Sequence, residues 1–210
     1  MPRINRDMTG FIARELDLPE AEAAALRVRW WKRYGATLLG LVALHPGVDP
    51  HRFLRETHDF PDMDRLVARR MPLAAALRRL PGRRVLFTNA PRHYAEAVVR
   101  ALGIAPLLHG LIAIEDMRFA GRWQPKPSVP ALRRTLARLR VPAHRCVLVE
   151  DSPENLHAAR AAGLRTVLVS GILWRRRAGW RPRAGAGRRI DLQVTSAVTL
   201  PREAAALLAA

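Results

Sequence analysis

The chain has 210 residues, 49% apolar and 26% charged, with one cysteine and a formal net charge of +18. That length suits one domain, or one domain with a smaller insert, and the apolar share excludes wholesale disorder. Cys146 alone excludes a disulfide framework, and no apolar run is long enough to span a bilayer, so a cytoplasmic protein is expected.

The charge could signal phosphate contacts with nucleic acid. The arginines, however, are spread along the whole chain, and lysine occurs only at Lys32 and Lys126. So strong an arginine bias, alongside abundant alanine, leucine, proline and glycine, reads as compositional drift, and a nucleic-acid partner is not expected.

Residues 3–80 read as helices. MTGFIARELDL places Met8, Phe11, Ile12, Leu16 and Leu18 near one face, and PEAEAAALRVRWWKRYGATLLGLVAL continues from Pro19 with acids in its first turn. Further helical pieces broken by prolines follow, and no strand is predicted before residue 83. The pattern then changes. RRVLFTNA is a short apolar strand, RHYAEAVVRALGI an amphipathic helix stopped by Gly103, and LLHGLIAIEDM a second strand region. SVPALRRTLARLRV is a helix, RCVLVEDS a strand, PENLHAARAAGL a helix and RTVLVSG a strand. Such alternation predicts a parallel sheet wrapped in helices, with ligands bound at the carboxyl ends of the strands. The Gly/Arg-rich segment 174–189 reads as a loop, IDLQVTS as a last strand and PREAAALLAA as a closing helix.

Three groups sit at predicted strand ends or in adjoining loops: Thr88-Asn89, Lys126 and Glu150-Asp151. A hydroxyl with backbone N–H groups can donate to phosphate oxygens, an ammonium can neutralise developing charge, and two acids can hold Mg²⁺. Each has a plainer reading. Thr-Asn after a strand can be a turn or a helix cap. Lys126 could be a solvated loop residue, although a chain that uses arginine almost everywhere has kept a lysine here. Asp151 or Ser152 could simply cap a helix, but two acids at a buried strand end exceed what a cap needs. Together, on this scaffold, the three favour phosphate chemistry.

VLFTNA, KPS and VLVEDSPENLHAARAAGLRTVLVSG resemble three of the motifs of the haloacid-dehalogenase superfamily of Mg²⁺-dependent phosphohydrolases. The helical part around WWKRYGATLLGL is similar to the cap of its pyrimidine 5'-nucleotidase group. The resemblance implies an α/β Rossmann-like core over residues 81–210 and a helical cap over roughly 5–75. It implies that Thr88 and Asn89 bind the phosphoryl group, that Lys126 neutralises it, and that Glu150 and Asp151 sit at Mg²⁺, with Asp151 the stronger ligand candidate. Ser152 and Asn155 would shape that loop. The substrate would be a small phosphorylated metabolite, with a nucleoside 5'-monophosphate first. A sugar phosphate, phosphoglycolate, or a bound phosphate ligand without turnover are the alternatives. In the cap, Trp30, Trp31 and Tyr34 could stack on a base and Arg33 or His58 could reach phosphate or ribose; the same aromatics could instead form the cap's own core.

The family opens with a strand and Asp-x-Asp-x-Thr, whose first aspartate attacks phosphorus to form an aspartyl-phosphate. This chain opens at MPRINR, without that motif. The one look-alike, Asp62 and Asp64 in DFPDMDRL, follows no apolar strand. The expectation is a core lacking its first strand, between residues 84–88 and 146–150, in a chain truncated at its start and inactive as it stands.

Overall fold

The computed structural model describes residues 2–68, 70–171, 190–204 and 207. The loop expected over 174–189 lies outside the described residues. Helices come first: α1 (Pro2–Leu16), α2 (Glu20–Tyr34), α3 (Thr37–Leu44), α4 (Pro50–Thr57), the single turn α5 (Met63–Leu66) and α6 (Met71–Arg79). The run expected to continue from Pro19 to Leu44 breaks at Gly35. That residue ends α2 in the left-handed region at φ 81°, with its N–H on the Trp31 carbonyl, a conformation glycine adopts without the penalty of a side chain. The break lets α2 and α3 fold back on each other. Phe11, Ile12, Trp30, Leu38, Leu41, Phe53 and Leu54 then close one apolar cluster, which Ile114 and Trp123 join from farther along the chain.

From residue 85 strands and helices alternate: β1 (Val85–Phe87), α7 (Arg92–Ala101), β2 (Gly110–Ile112), then a two-stranded hairpin of β3 (Arg118–Phe119) and β4 (Arg122–Trp123). The sequence reading missed this hairpin, because its strands are two residues each and its turn places Ala120 as well as Gly121 at positive φ. α8 (Val129–Leu139), β5 (Val147–Glu150), α9 (Pro153–Ala161), β6 (Arg165–Val169), β7 (Leu192–Val194) and the short α10 (Leu200–Glu203) complete the order. Prolines stand in the first turn of α8 and α9, and Ser128 and Ser152 cap those helices by accepting from Ala131 N–H at 3.2 Å and Asn155 N–H at 3.4 Å.

The parallel strands form two sheets: β1 pairs β2, and β5, β6 and β7 pair in that order. Buried residues of α8 and α9 (Leu132, Leu136, Ala159) pack against Phe87 from one sheet and Leu148 from the other, so the two sheets share a floor. Together with the helices this is the α/β Rossmann-like arrangement expected from sequence. Asp191 ties the far side. Its carboxylate accepts from the Thr166 N–H and hydroxyl, each at 2.8 Å, where β7 begins beside β6.

Candidate functional site

The chemistry-bearing residues converge where β1 and β5 end. The last residue of β1, Phe87, presents its carbonyl to the Lys126 ammonium at 3.0 Å. The last residue of β5, Glu150, accepts from the same nitrogen at 2.6 Å. Both side chains of this pair are nearly buried, 12% and 11% exposed. The other Glu150 oxygen accepts from the N–H groups of Asp151 at 3.0 Å and Ser152 at 3.4 Å. Burial acts to raise the Glu150 pKa. Hydrogen bonding with Asp151 and the charge of Lys126 overcome it and hold Glu150 at about 2.

Asp151 behaves in the opposite sense. Its carboxyl is pushed above the ordinary value, first by its hydrogen bond with Glu150, then by burial and by the negative charge of Glu150.

The Thr88 N–H continues the β1–β2 ladder to the Ile112 carbonyl at 3.0 Å. Its hydroxyl accepts from Ala90 N–H at 3.1 Å, which leaves the O–H hydrogen to donate elsewhere. Asn89 is spent differently from the sequence expectation. Its side-chain amide donates to the Lys126 carbonyl at 2.9 Å and accepts from the Lys126 N–H at 2.8 Å. It positions the lysine loop; its carbonyl oxygen and one amide hydrogen are committed there rather than to a phosphate.

The residues of the helical part expected to meet a substrate differ in their surroundings. Trp30 is 1% exposed, with its ring against His45 and beneath Gly40, so it has no face to offer a base. His58 is buried at 7% and unavailable to phosphate or ribose. Tyr34 lines a separate cavity of about 530 Å³, walled also by Val42, Val48, Arg118, Arg122 and Trp123. Trp31 is exposed. Asp62, in the look-alike segment, accepts from the Arg3 guanidinium at 2.8 Å ahead of α5.

Sequence reasoning missed the brace beneath the site. Glu115 accepts twice from the Arg92 N–H, at 3.2 and 3.1 Å, at the start of α7. Asp116 accepts from Ala113 N–H at 2.9 Å and Arg138 at 3.1 Å, and pairs with the Arg92 guanidinium. Burial acts to raise Asp116, but these donors hold it below the ordinary carboxylate value. The acids of IEDM were visible in the sequence; that their partners lay 22 to 24 residues away was not.

A divalent cation fits one of the two acids. Glu150 accepts from Lys126 and from two backbone N–H groups, so of the two acids expected at the metal Asp151 is the better candidate. Asp151, one residue beyond the end of β5, presents a carboxylate, a ligand type that suits Mg²⁺, an ion that takes one or two carboxylates and keeps waters or substrate phosphate as its other ligands. No group of three or more His, Cys, Asp or Glu side chains that could hold a metal occurs among the described residues. No helix among them is long and apolar enough to cross a membrane.

The family model described as haloacid dehalogenase-like hydrolase matches residues 9–163. A plasmid-encoded phosphoglycolate phosphatase of Cupriavidus necator is 38% identical over 95 residues, which are 45% of this chain and 39% of that protein. The match therefore spans about two fifths of the relative's length. Among solved structures, a HAD phosphatase from Thermococcus onnurineus superposes with a TM-score of 0.58 at 17% identity, covering 94% of this chain and 86% of the other. A conserved haloacid dehalogenase-like protein of unknown function from Agrobacterium tumefaciens gives a TM-score of 0.56 at 20% identity, with 98% and 92% covered. At these identities the structural matches speak for the fold.

Proposed function

The chain belongs to the haloacid dehalogenase-like hydrolases, and from that premise we propose that its site recognises the phosphoryl group of a small phosphomonoester together with Mg²⁺. The observation that carries this reading is the convergence of the β1 and β5 ends on the Lys126 ammonium, with Asp151 beside them. Lys126 supplies a fixed positive charge in a half-dry setting, where it acts more strongly on phosphate oxygens than it would in water. The Thr88 hydroxyl donates to a phosphate oxygen. Asp151 is the carboxylate that would hold the metal, and the metal would supply charge neutralisation on the phosphoryl oxygens. Glu150 orients Lys126, and Asn89 fixes the backbone from which that lysine projects.

The attacking carboxylate of aspartyl-phosphate chemistry has no counterpart among the side chains gathered here. Asp62 is held by Arg3, and Glu150 is held by Lys126. The side chains gathered here therefore account for holding phosphate and metal and do not themselves supply the attacking group.

Among substrates, the burial of Trp30 weakens the case for a nucleoside monophosphate, since the aromatic most suited to stack on a base is enclosed. A small phosphorylated acid of the phosphoglycolate kind comes first, in line with the named relative. The nucleotide is the second reading, supported by the exposed Trp31. Competition against phosphate binding, in Mg²⁺, by 2-phosphoglycolate and by uridine 5'-monophosphate tests this order. Stronger displacement by 2-phosphoglycolate supports it, stronger displacement by the nucleotide reverses it, and displacement by neither removes the proposal.

A further inference from the structure

The cavity that Tyr34 lines measures about 530 Å³, a size that admits a small organic molecule. One wall is helical. Tyr34 ends α2, Val42 lies on α3 and Val48 stands in the turn before α4, and all three pack on the rim of the helical apolar cluster. The other wall is the β3–β4 hairpin, with Arg118, Arg122 and Trp123. Thr88, Lys126 and Asp151 are not among the lining residues.

The register of the hairpin decides what the cavity offers. Arg118 stands opposite Trp123 in the ladder, so the two side chains leave the same face. Trp123 packs on the helical cluster and its ring lies 5.5 Å from that of His51, so this face is turned to the helices. The Arg118 guanidinium lies 5.6 Å from the centre of the Trp123 ring. Its Nε–H donates to the Gly121 carbonyl at 3.3 Å, and its two terminal nitrogens have no hydrogen-bond partner among the described residues. A planar fork of N–H donors is left over. Among the described residues no acid lines the cavity. Asp49, between Val48 and Pro50, is engaged elsewhere: it accepts from the His51 N–H at 2.8 Å and pairs with Arg55 at 3.6 Å. Arg122 adds a second positive residue to the lining.

We propose that this cavity binds a small aryl carboxylate, its carboxylate on the Arg118 fork and its ring on the apolar wall of Tyr34, Val42 and Trp123. The ligand is an anion because the charged residues lining the cavity are both arginines. Its charged group is flat and singly charged because one planar fork meets it, through two parallel N–H bonds that the apolar surroundings strengthen. A phosphate would draw on further donors, of the kind that gather at Lys126 and Thr88. The body is aromatic because two aromatic side chains and a valine form the wall it meets. A ligand that touches both walls ties the hairpin to the helices. The proposal stands apart from the phosphate reading, since a different set of side chains carries it.

The test is a saturation-transfer NMR titration of the 210-residue chain with 3-phenylpropanoate, with the neutral 3-phenylpropanol, and with propanoate, which lacks the ring. The acid should bind about tenfold more tightly than either of the others. Arg118→Gln should bring the acid down to the affinity of the alcohol. Ala43→Trp fills the cavity from an exposed position on α3 and should remove binding of both, with the helices retained by circular dichroism. Arg118 is itself exposed, so its variant tests the anion contact even where the tryptophan is not tolerated. Excess 2-phosphoglycolate with Mg²⁺ should leave the acid bound. Equal affinity for acid and alcohol, undiminished binding in Arg118→Gln or in folded Ala43→Trp, or no binding of the acid at millimolar concentration overturns the proposal. So does displacement by 2-phosphoglycolate, since the acid would then occupy the phosphate site. Failure of the chain to bind phosphate would leave these outcomes unchanged.

Discussion

Lys126 and Glu150, 24 residues apart in sequence, form a nearly buried ion pair at 2.6 Å that joins the carboxyl ends of two strands not hydrogen-bonded to each other. It fixes the ammonium between the two strand ends, and in the function proposed above that is the place where a phosphate would be met.

Removing one partner leaves the other charged and poorly hydrated. Lys126→Met should lower stability by about 3 kcal/mol, as is usual when a buried pair loses one member. Adding Glu150→Leu should recover much of that loss, because the stranded carboxylate is then gone. Urea midpoints of the two variants check this. A double variant as unstable as Lys126→Met would show that the lysine acts through packing instead.

Trp30 and Gly40 set a second test in the helical part. A β-carbon built on Gly40 would lie 2.3 Å from the Trp30 ring, with more of that side chain at 2.4 and 2.8 Å. Trp30 is enclosed and cannot swing aside. Gly40→Ala should therefore destabilise by about 1–3 kcal/mol despite alanine's better helix propensity. Gly40→Ala combined with Trp30→Leu should be milder than the sum of the two single changes. Thermal denaturation of the three variants reads this coupling.

His58 makes stability depend on pH. Burial first, and the neighbouring His93 second, bring its pKa down from 6.5 to about 4. The Thr57 hydroxyl donates to the Phe53 carbonyl, so the His58 Nδ1–H is the donor to that hydroxyl oxygen and the ring is neutral. His93 donates its Nε2–H to the His58 carbonyl. Between pH 6.5 and 4 the unfolded chain binds more protons than the folded one, so His58 stabilises above pH 6.5 and loses that contribution as pH falls towards 4. The loss from pH 7.5 to 5 should be about 2 kcal/mol. His58→Gln should flatten this part of the stability profile. An unchanged slope in the variant would assign it to other groups.

Much of this was legible from residue pattern. The alternation after residue 83 gave the parallel strands, and VLFTNA, KPS and VLVEDSPEN marked the three segments that meet. The division of labour among those residues was not legible. Asn89 and Thr88 are neighbours of similar polarity, yet one grips the Lys126 backbone and the other keeps a hydroxyl hydrogen to donate. Glu150 and Asp151 look like a matched pair in sequence. They differ because Glu150 belongs to β5, where its side chain meets Lys126, while Asp151 is one residue beyond the strand. Trp30 and Trp31 are adjacent letters about 100° apart around α2, and only one is enclosed. The Gly35 break was written in the sequence as a glycine after an aromatic run, but the helical periodicity on both sides concealed it.

The central claim is that Asp151, Lys126 and Thr88 form one site for a metal and a phosphate. Mn²⁺ standing in for Mg²⁺, followed by electron paramagnetic resonance while inorganic phosphate is titrated, tests it most directly. The account predicts that phosphate tightens Mn²⁺ binding to the wild-type chain, and that Asp151→Asn abolishes metal binding while the fold, read by circular dichroism, is retained. Mn²⁺ binding that is undiminished in Asp151→Asn, or indifferent to phosphate in the wild type, would contradict it.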